Sequence, residues 1–161
     1  MDRALMGGIH RDDEQICEFL LSLGVPTDTR DGTGATPLHK AIEKRNLKIA
    51  GLLRKNDADF NAYTKQGVTI LMNAVATKDV ELVKFVLDTG RASLEARDGS
   101  GEIALSMAAR LGLTDVVQSL ISSDAECTKG HPRGQTPQEV ANEVRDSGNS
   151  AQGSDAEEEL V

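Results

Sequence analysis

A six-residue phrase recurs through the chain at a fixed interval. It reads Thr36-Pro37-Leu38-His39-Lys40-Ala41 in full, with degraded copies at Thr69-Ile70-Leu71-Met72-Asn73-Ala74, Ile103-Ala104-Leu105-Ser106-Met107-Ala108 and Thr136-Pro137-Gln138-Glu139-Val140-Ala141. A glycine two residues ahead keeps the same time, at Gly34, Gly67, Gly101 and Gly134, so the spacings are 33, 34 and 33 residues. This self-similarity constrains the fold more than any single motif does. Each repeat is one supersecondary unit that cannot bury its apolar face alone and must stack on its neighbours. Such a stack offers an extended surface more readily than a catalytic pocket.

Within the second repeat the local chemistry specifies two short helices. Asp31-Gly32-Thr33-Gly34 is a turn, because glycine tolerates positive φ and aspartate hydrogen-bonds its own backbone. Thr36 suits a helix N-cap, and Pro37 the first helical position, where its missing N–H costs nothing. Leu38, Ala41 and Ile42 form one apolar face at helical spacing. Arg45-Asn46 breaks that helix. Leu47, Ile49, Ala50, Leu52 and Leu53 form a second, apolar over much of its circumference, and Asn56-Asp57 supplies a left-handed stop. The third unit repeats the pattern with Leu71, Ala74 and Val75, then Val80, Leu82, Val83 and Val86. The fourth does so with Leu105, Ala108 and Ala109, then Val116, Val117 and Leu120. The one-residue excess falls in the loop at 90–96, where the helices keep their phase. Only 2% of the 161 residues are aromatic, so Leu, Ala, Val and Ile carry the packing.

On this phased signature the chain resembles the ankyrin repeat family over roughly residues 1–144. The resemblance implies an all-α, ankyrin-repeat solenoid of helix–turn–helix units joined by β-hairpin loops, with the first helices lining a concave face. The expected organisation is a repeat domain over 1–145 (units near 1–29, 30–62, 63–96, 97–129 and 130–145). A disordered acidic tail is expected over 146–161, whose composition cannot bury a core. The Thr-Pro pair is lost at Ile103-Ala104 and half lost at Thr69-Ile70, which is expected to weaken each local cap by about 1 kcal/mol. Counting back one period from Gly34 reaches position 1, so the first unit lacks its hairpin. Either the natural chain is longer upstream or this helix pair serves as a cap. The last unit turns polar at Gln138 and Glu139, as a C-terminal cap would.

Other function classes find little support. The net charge of −8 opposes a whole-surface affinity for nucleic acid, and no apolar run is long enough for a membrane span. Neither cofactor nor metal is expected: His10, His39 and His131 lie in different repeats without ligand spacing. The resemblance gives His39 a structural role, bonding the adjoining hairpin. Cys17 and Cys127, three repeats apart in a stack, are expected as free thiols, placing a monomeric protein in cytoplasm or nucleus.

The expected function is therefore a non-catalytic protein–protein interaction module or adaptor. The alternative is the regulatory ankyrin portion of a larger, enzymatic protein. By resemblance, hairpin tips and first-helix ends contact the partner: Arg30, Thr33, Glu43, Lys44, Tyr63, Lys65, Gln66, Thr77, Arg97, Ser100, Glu102, Arg110 and Arg133. Over the whole presumed face, Arg11, Arg30, Lys44, Lys65, Arg97, Arg110 and Arg133 stand against Glu43, Glu102 and Glu143, so 7 − 3 = +4 on an acidic chain. That balance points to an acidic peptide segment as partner. Glu159-Leu160-Val161 resembles a C-terminal PDZ ligand, and Ser154 an acidophilic kinase site. Asn61 fits the ankyrin asparagine-hydroxylation pattern, although a hydrogen bond to the hairpin is the preferred reading.

Overall fold

The structure, a computed structural model, describes residues 2–123. The fifth unit, the acidic tail, Cys127, Arg133, Ser154 and the PDZ-like terminus lie outside the described residues. Eight helices follow one another within that span: α1 Asp2–His10, α2 Glu14–Ser22, α3 Pro37–Glu43, α4 Leu47–Lys55, α5 Ile70–Ala76, α6 Val80–Leu87, α7 Ala104–Arg110 and α8 Thr114–Ser122. They form four helix pairs. The first helices stack in series, α1 on α3, α3 on α5 and α5 on α7. In the second layer α2 lies on α4 and α6 on α8.

The capping residues explain where the helices begin. The Thr69 hydroxyl accepts from the Met72 amide at 3.3 Å, so the half-lost signature of the third unit keeps its cap. Asp13, Asn46 and Asp79 cap α2, α4 and α6, accepting from the amides of Ile16, Ile49 and Glu81 at 3.0 Å each. The fourth unit has Ile103 and Leu113 at the two cap positions and neither makes a side-chain cap bond. At about 1 kcal/mol per cap, this is the least supported pair among those described.

The turn between the helices of each pair is left-handed at one equivalent position: Asp12, Arg45, Lys78 and Gly112, with φ between 55° and 69°. The anticipated stop at Asp57 is left-handed too, with φ 57°.

Small aliphatic residues fill the core, with Leu38, Ala41, Ile42, Ile49, Leu53, Ala74, Leu82 and Ala108 all at 0% exposure. Alanine at the matching position of α3, α5 and α7 (Ala41, Ala74 and Ala108), and Gly8 in α1, let the neighbouring helices approach closely. Aromatic rings enter where Phe60 meets Phe85, 6.2 Å between centroids, with the Arg54 guanidinium 5.7 Å from the centroid of the Phe85 ring.

The hairpins are turns rather than ladders. Among the described residues there is no strand, only an isolated antiparallel bridge between Tyr63 and Thr69. Cys17 is buried, and burial with help from Asp13, Asp12 and Glu14 pushes its thiol up to about 11, which leaves it unreactive at neutral pH. No helix among the described residues is long and apolar enough to cross a membrane.

Candidate partner-binding face

Each hairpin tip is organised by one side chain. Asp31 Oδ1 accepts from the Thr33 hydroxyl at 2.6 Å, the Thr33 amide at 2.8 Å and the Ala35 amide at 3.0 Å. Donation led by the Thr33 hydroxyl holds the Asp31 carboxyl at about 2. Asp98 repeats the arrangement with Ser100 and Glu102. Burial pushes the Asp98 carboxyl up, but the Ser100 hydroxyl and surrounding amides outweigh it and the net shift is downward. Thr64 takes the position in the third unit, accepting from the Val68 amide at 3.2 Å.

Successive tips are bonded to one another. The Lys65 amide donates to the Thr33 carbonyl at 3.0 Å, and the Gly99 amide to the Gln66 carbonyl at 2.7 Å. This approach is why Gly67 is glycine. At φ 77°, a Cβ there would stand 3.0 Å from Asp98 Cα and from the Gly99 nitrogen.

Behind the tips, His39 ties α3 to the next hairpin. Its Nε2 lies 3.1 Å from the Val68 carbonyl, which only accepts, so Nε2 carries the proton. Nδ1 then accepts from the Thr36 amide at 3.2 Å and the Thr36 hydroxyl at 2.9 Å. Burial depresses the pKa of His39, keeping it neutral in this structural role. Met72 and Ser106 occupy the same position in the next units. The Ser106 hydroxyl is fully buried and has no hydrogen-bond partner among the described residues.

Between the tips at 31–35 and 64–68 and helices α3 and α5 lies a cleft of about 430 Å³. Ala35, Val68 and the edge of His39 give it an apolar floor; Thr33, Lys40, Glu43, Lys65, Gln66 and Asn73 line its walls. Lys40 Nζ sits 3.1 Å from Glu43 and 3.5 Å from Asp31, so its charge is met on two sides. Among the described residues, Lys65 Nζ donates only to the Gly32 carbonyl, at 2.8 Å. Asn73 donates to the His39 carbonyl at 2.9 Å.

Of the residues expected to contact a partner, the structure gathers Thr33, Glu43, Lys65 and Gln66 around this cleft. Arg30 and Tyr63 stand at the tip edge. The guanidinium donates to the Tyr63 carbonyl at 2.7 Å and lies 5.6 Å from the ring centroid, with Tyr63 59% exposed. Ser100, Glu102 and Arg110 belong to the fourth unit. There Arg110 is forked onto the Glu102 carboxylate at 3.0 and 3.1 Å, and Arg97 donates to the Gly101 carbonyl at 2.8 Å.

Lys44 and Thr77 are instead used in the turns between helices. Lys44 Nζ donates to the His10 carbonyl at 2.7 Å, and the Thr77 carbonyl accepts from Arg45 at 2.6 Å. Asn61 is exposed, and its side-chain oxygen accepts from the Ser93 amide at 2.7 Å, joining it to the following loop.

The sequence count of +4 needs correction. It omitted Asp31 and Asp98 at the tips and Asp12, whose carboxylate stands 3.4 Å from the counted Lys44, while Asp98 adds negative charge near the counted Arg110. It also omitted Lys40 and Asn73, which line the cleft. Both hold the variable place in the six-residue phrase, between its fourth residue and the closing alanine, and aligning the copies by that position would have found them.

Comparison with known proteins agrees with this architecture. The sequence model described as ankyrin repeats matches residues 2–64 and 52–131. A putative ankyrin repeat protein of fowlpox virus, FPV244, is 31% identical over 117 residues, covering 73% of this chain and 16% of that protein. The human neurogenic locus notch homolog protein 4 is 35% identical over 95 residues, covering 59% of this chain and 5% of that protein. The probable 26S proteasome regulatory subunit p28 of Saccharomyces cerevisiae is 36% identical over 111 residues, covering 66% of this chain and 48% of that protein. The chain thus spans less than half the length of each of these relatives. With the repeat period, the helix pairs and these matches in agreement, the chain belongs to the ankyrin repeat family.

Proposed function

We propose that this chain is a protein-binding module, without catalysis of its own, that holds an extended segment of a partner protein along the face formed by the hairpin tips and first helices. Ankyrin repeats as a family mediate protein–protein interaction. The observation that carries the reading is the cleft between the second and third tips, whose floor is apolar and whose walls are polar. Its volume of about 430 Å³ falls within the ~300–1,000 Å³ of ordinary ligand pockets and suits one or two side chains rather than a folded domain.

The charges refine the acidic-peptide expectation. Lys40 is already met by Glu43 and Asp31, and Arg110 by Glu102. Among the described residues, Lys65 and Arg30 bond only to carbonyl groups, which are neutral. The favoured ligand is therefore an extended segment with a small aliphatic side chain in the cleft and a single acidic residue beside Lys65, not a strongly acidic tract.

Selecting displayed random peptides on the wild-type protein tests this. The enriched peptides should share an aliphatic–acidic pair and lose at least about tenfold in affinity to a folded Lys65→Glu variant, as expected for a charge pair at the rim of a site. Equal binding to the variant refutes the assignment.

A further inference from the structure

The cleft between the second and third tips joins an apolar floor to two cations without a carboxylate partner among the described residues. Ala35, Val68 and the edge of His39 form the floor. Lys40 lies 3.1 Å from Glu43 and 3.5 Å from Asp31 and engages both carboxylates. Lys65 and Arg30 are left with carbonyl partners, Gly32 for the first and Gly34 and Tyr63 for the second. Elsewhere ion pairs already hold Lys44 against Asp12, Lys48 against Glu14 and Arg110 against Glu102. An acidic segment therefore gains most at this rim, where it displaces no existing ion pair.

The chain carries such a segment itself. Residues 146–161 hold five carboxylate side chains and no basic one. Beyond Val144 the branched aliphatic residues are Leu160 and Val161, and they directly follow Glu157-Glu158-Glu159. The earlier pair Glu139-Val140 falls in the copy of the repeated phrase at 136–141 and so belongs to the repeat. Length permits the contact. Packed helices lie about 8–10 Å apart, so the cleft between α3 and α5 is about 15 Å from α7, and a fifth unit in register would add about 10 Å. Residues 146–160 extend to about 50 Å at ~3.3 Å per residue.

We infer that residues 157–161 of the chain dock in this cleft, Leu160 over the apolar floor and Glu159 beside Lys65, so that a partner peptide must displace them. This docking rests on the cleft being a peptide site. Weak binding is enough, because a short tether gives an effective concentration on the order of 1 mM. A segment with a separate Kd of ~100 µM is then ~90% docked and weakens a competing peptide by about tenfold.

The test keeps the full chain and compares wild type with the double variant Glu159→Lys and Leu160→Asp. The probe is a fluorescent synthetic peptide of residues 151–161. It should bind the double variant about tenfold more tightly than wild type, whose cleft is filled. Adding Lys65→Glu to the double variant should remove that gain. Asp146→Asn changes the net charge by the same amount as the double variant and should leave probe affinity within about twofold of wild type, since a general charge effect is not specific to one segment. The amide resonances of Lys65, Val68 and Asn73 should differ between wild type and the double variant, by amounts independent of protein concentration.

Equal probe affinity for wild type and the double variant overturns the docking. If peptides selected at the cleft still bind both proteins, the cleft remains a peptide site and the self-docking alone fails; if neither the probe nor any selected peptide binds, both fail. Amide differences that grow with protein concentration also overturn the docking, because the segment then binds a second copy.

Discussion

Two glycines with almost the same backbone conformation separate local strain from tip stacking. Gly24 has φ 78° and Gly67 φ 77°. A Cβ at Gly24 meets nothing within 4 Å, while at Gly67 it stands 3.0 Å from Asp98 Cα, 3.0 Å from the Gly99 nitrogen and 3.1 Å from the Asp98 carbonyl carbon. Left-handed geometry costs an L-residue about 1–2 kcal/mol. The stiffer unfolded chain returns about 0.4–1 kcal/mol. Gly24→Ala should therefore lose about 1 kcal/mol.

Gly67→Ala carries the same strain and adds an overpacking penalty of about 1–3 kcal/mol, because the opposing atoms are backbone and have no rotamer to change. Moving them apart also stretches the 2.7 Å bond from the Gly99 amide to the Gln66 carbonyl, which is worth about 1 kcal/mol. The expected total is about 3–5 kcal/mol. Urea denaturation followed by circular dichroism, at matched m-values, measures both losses. Hydrogen exchange at the Gly99 amide should accelerate in Gly67→Ala alone. Losses that agree within about 0.5 kcal/mol, or unchanged Gly99 exchange, would refute the claim that the tips are in close contact.

Three further outcomes follow from single residues. Ser106→Ala removes a fully buried hydroxyl with no partner among the described residues and should raise stability by about 1 kcal/mol in the same urea titration; a loss of that size would mean the hydroxyl is bonded. Lys78→Gly relieves a left-handed lysine at φ 61°, at a register where the fourth unit already has Gly112, and should gain about 0.5–1 kcal/mol. His39 has its pKa lowered by burial from the ordinary 6.5. Its contribution is whole above that value and declines as pH falls below it, because the unfolded chain takes up the proton first. Urea midpoints should drop between pH 7 and 5 in the wild type, and a slope of equal size in His39→Met would disprove the assignment.

The helices were legible because their signals are local. Thr69 still caps α5 after losing its proline partner, and Asp57 turns left-handed where Asn56-Asp57 announced a stop. The apolar positions of each pair are buried as their spacing required. The candidate face was only partly legible. Thr33, Glu43, Lys65 and Gln66 do meet at one cleft, but Lys44 and Thr77 lie in inter-helix turns. Lys40 escaped notice because helix register sets it against Asp31 and Glu43 together, a relation that emerges only when the hairpin folds beside α3.

What the amino-acid order determined by itself was the unit: its period, its two helices, their caps and their buried sides. Propensity, capping and apolar spacing all act within a few residues, and the repetition prints them several times. What only the tertiary structure decided was the use of the polar groups. Arg30 bonds Tyr63, Arg45 bonds Thr77, Lys65 bonds Gly32 and Asn73 bonds His39, each pair 32–34 residues apart. These partners become neighbours only when one unit stacks on the next. The same stacking buries Ile49, Leu82 and Val116 while leaving Ile16 open, although all four positions read alike in the sequence.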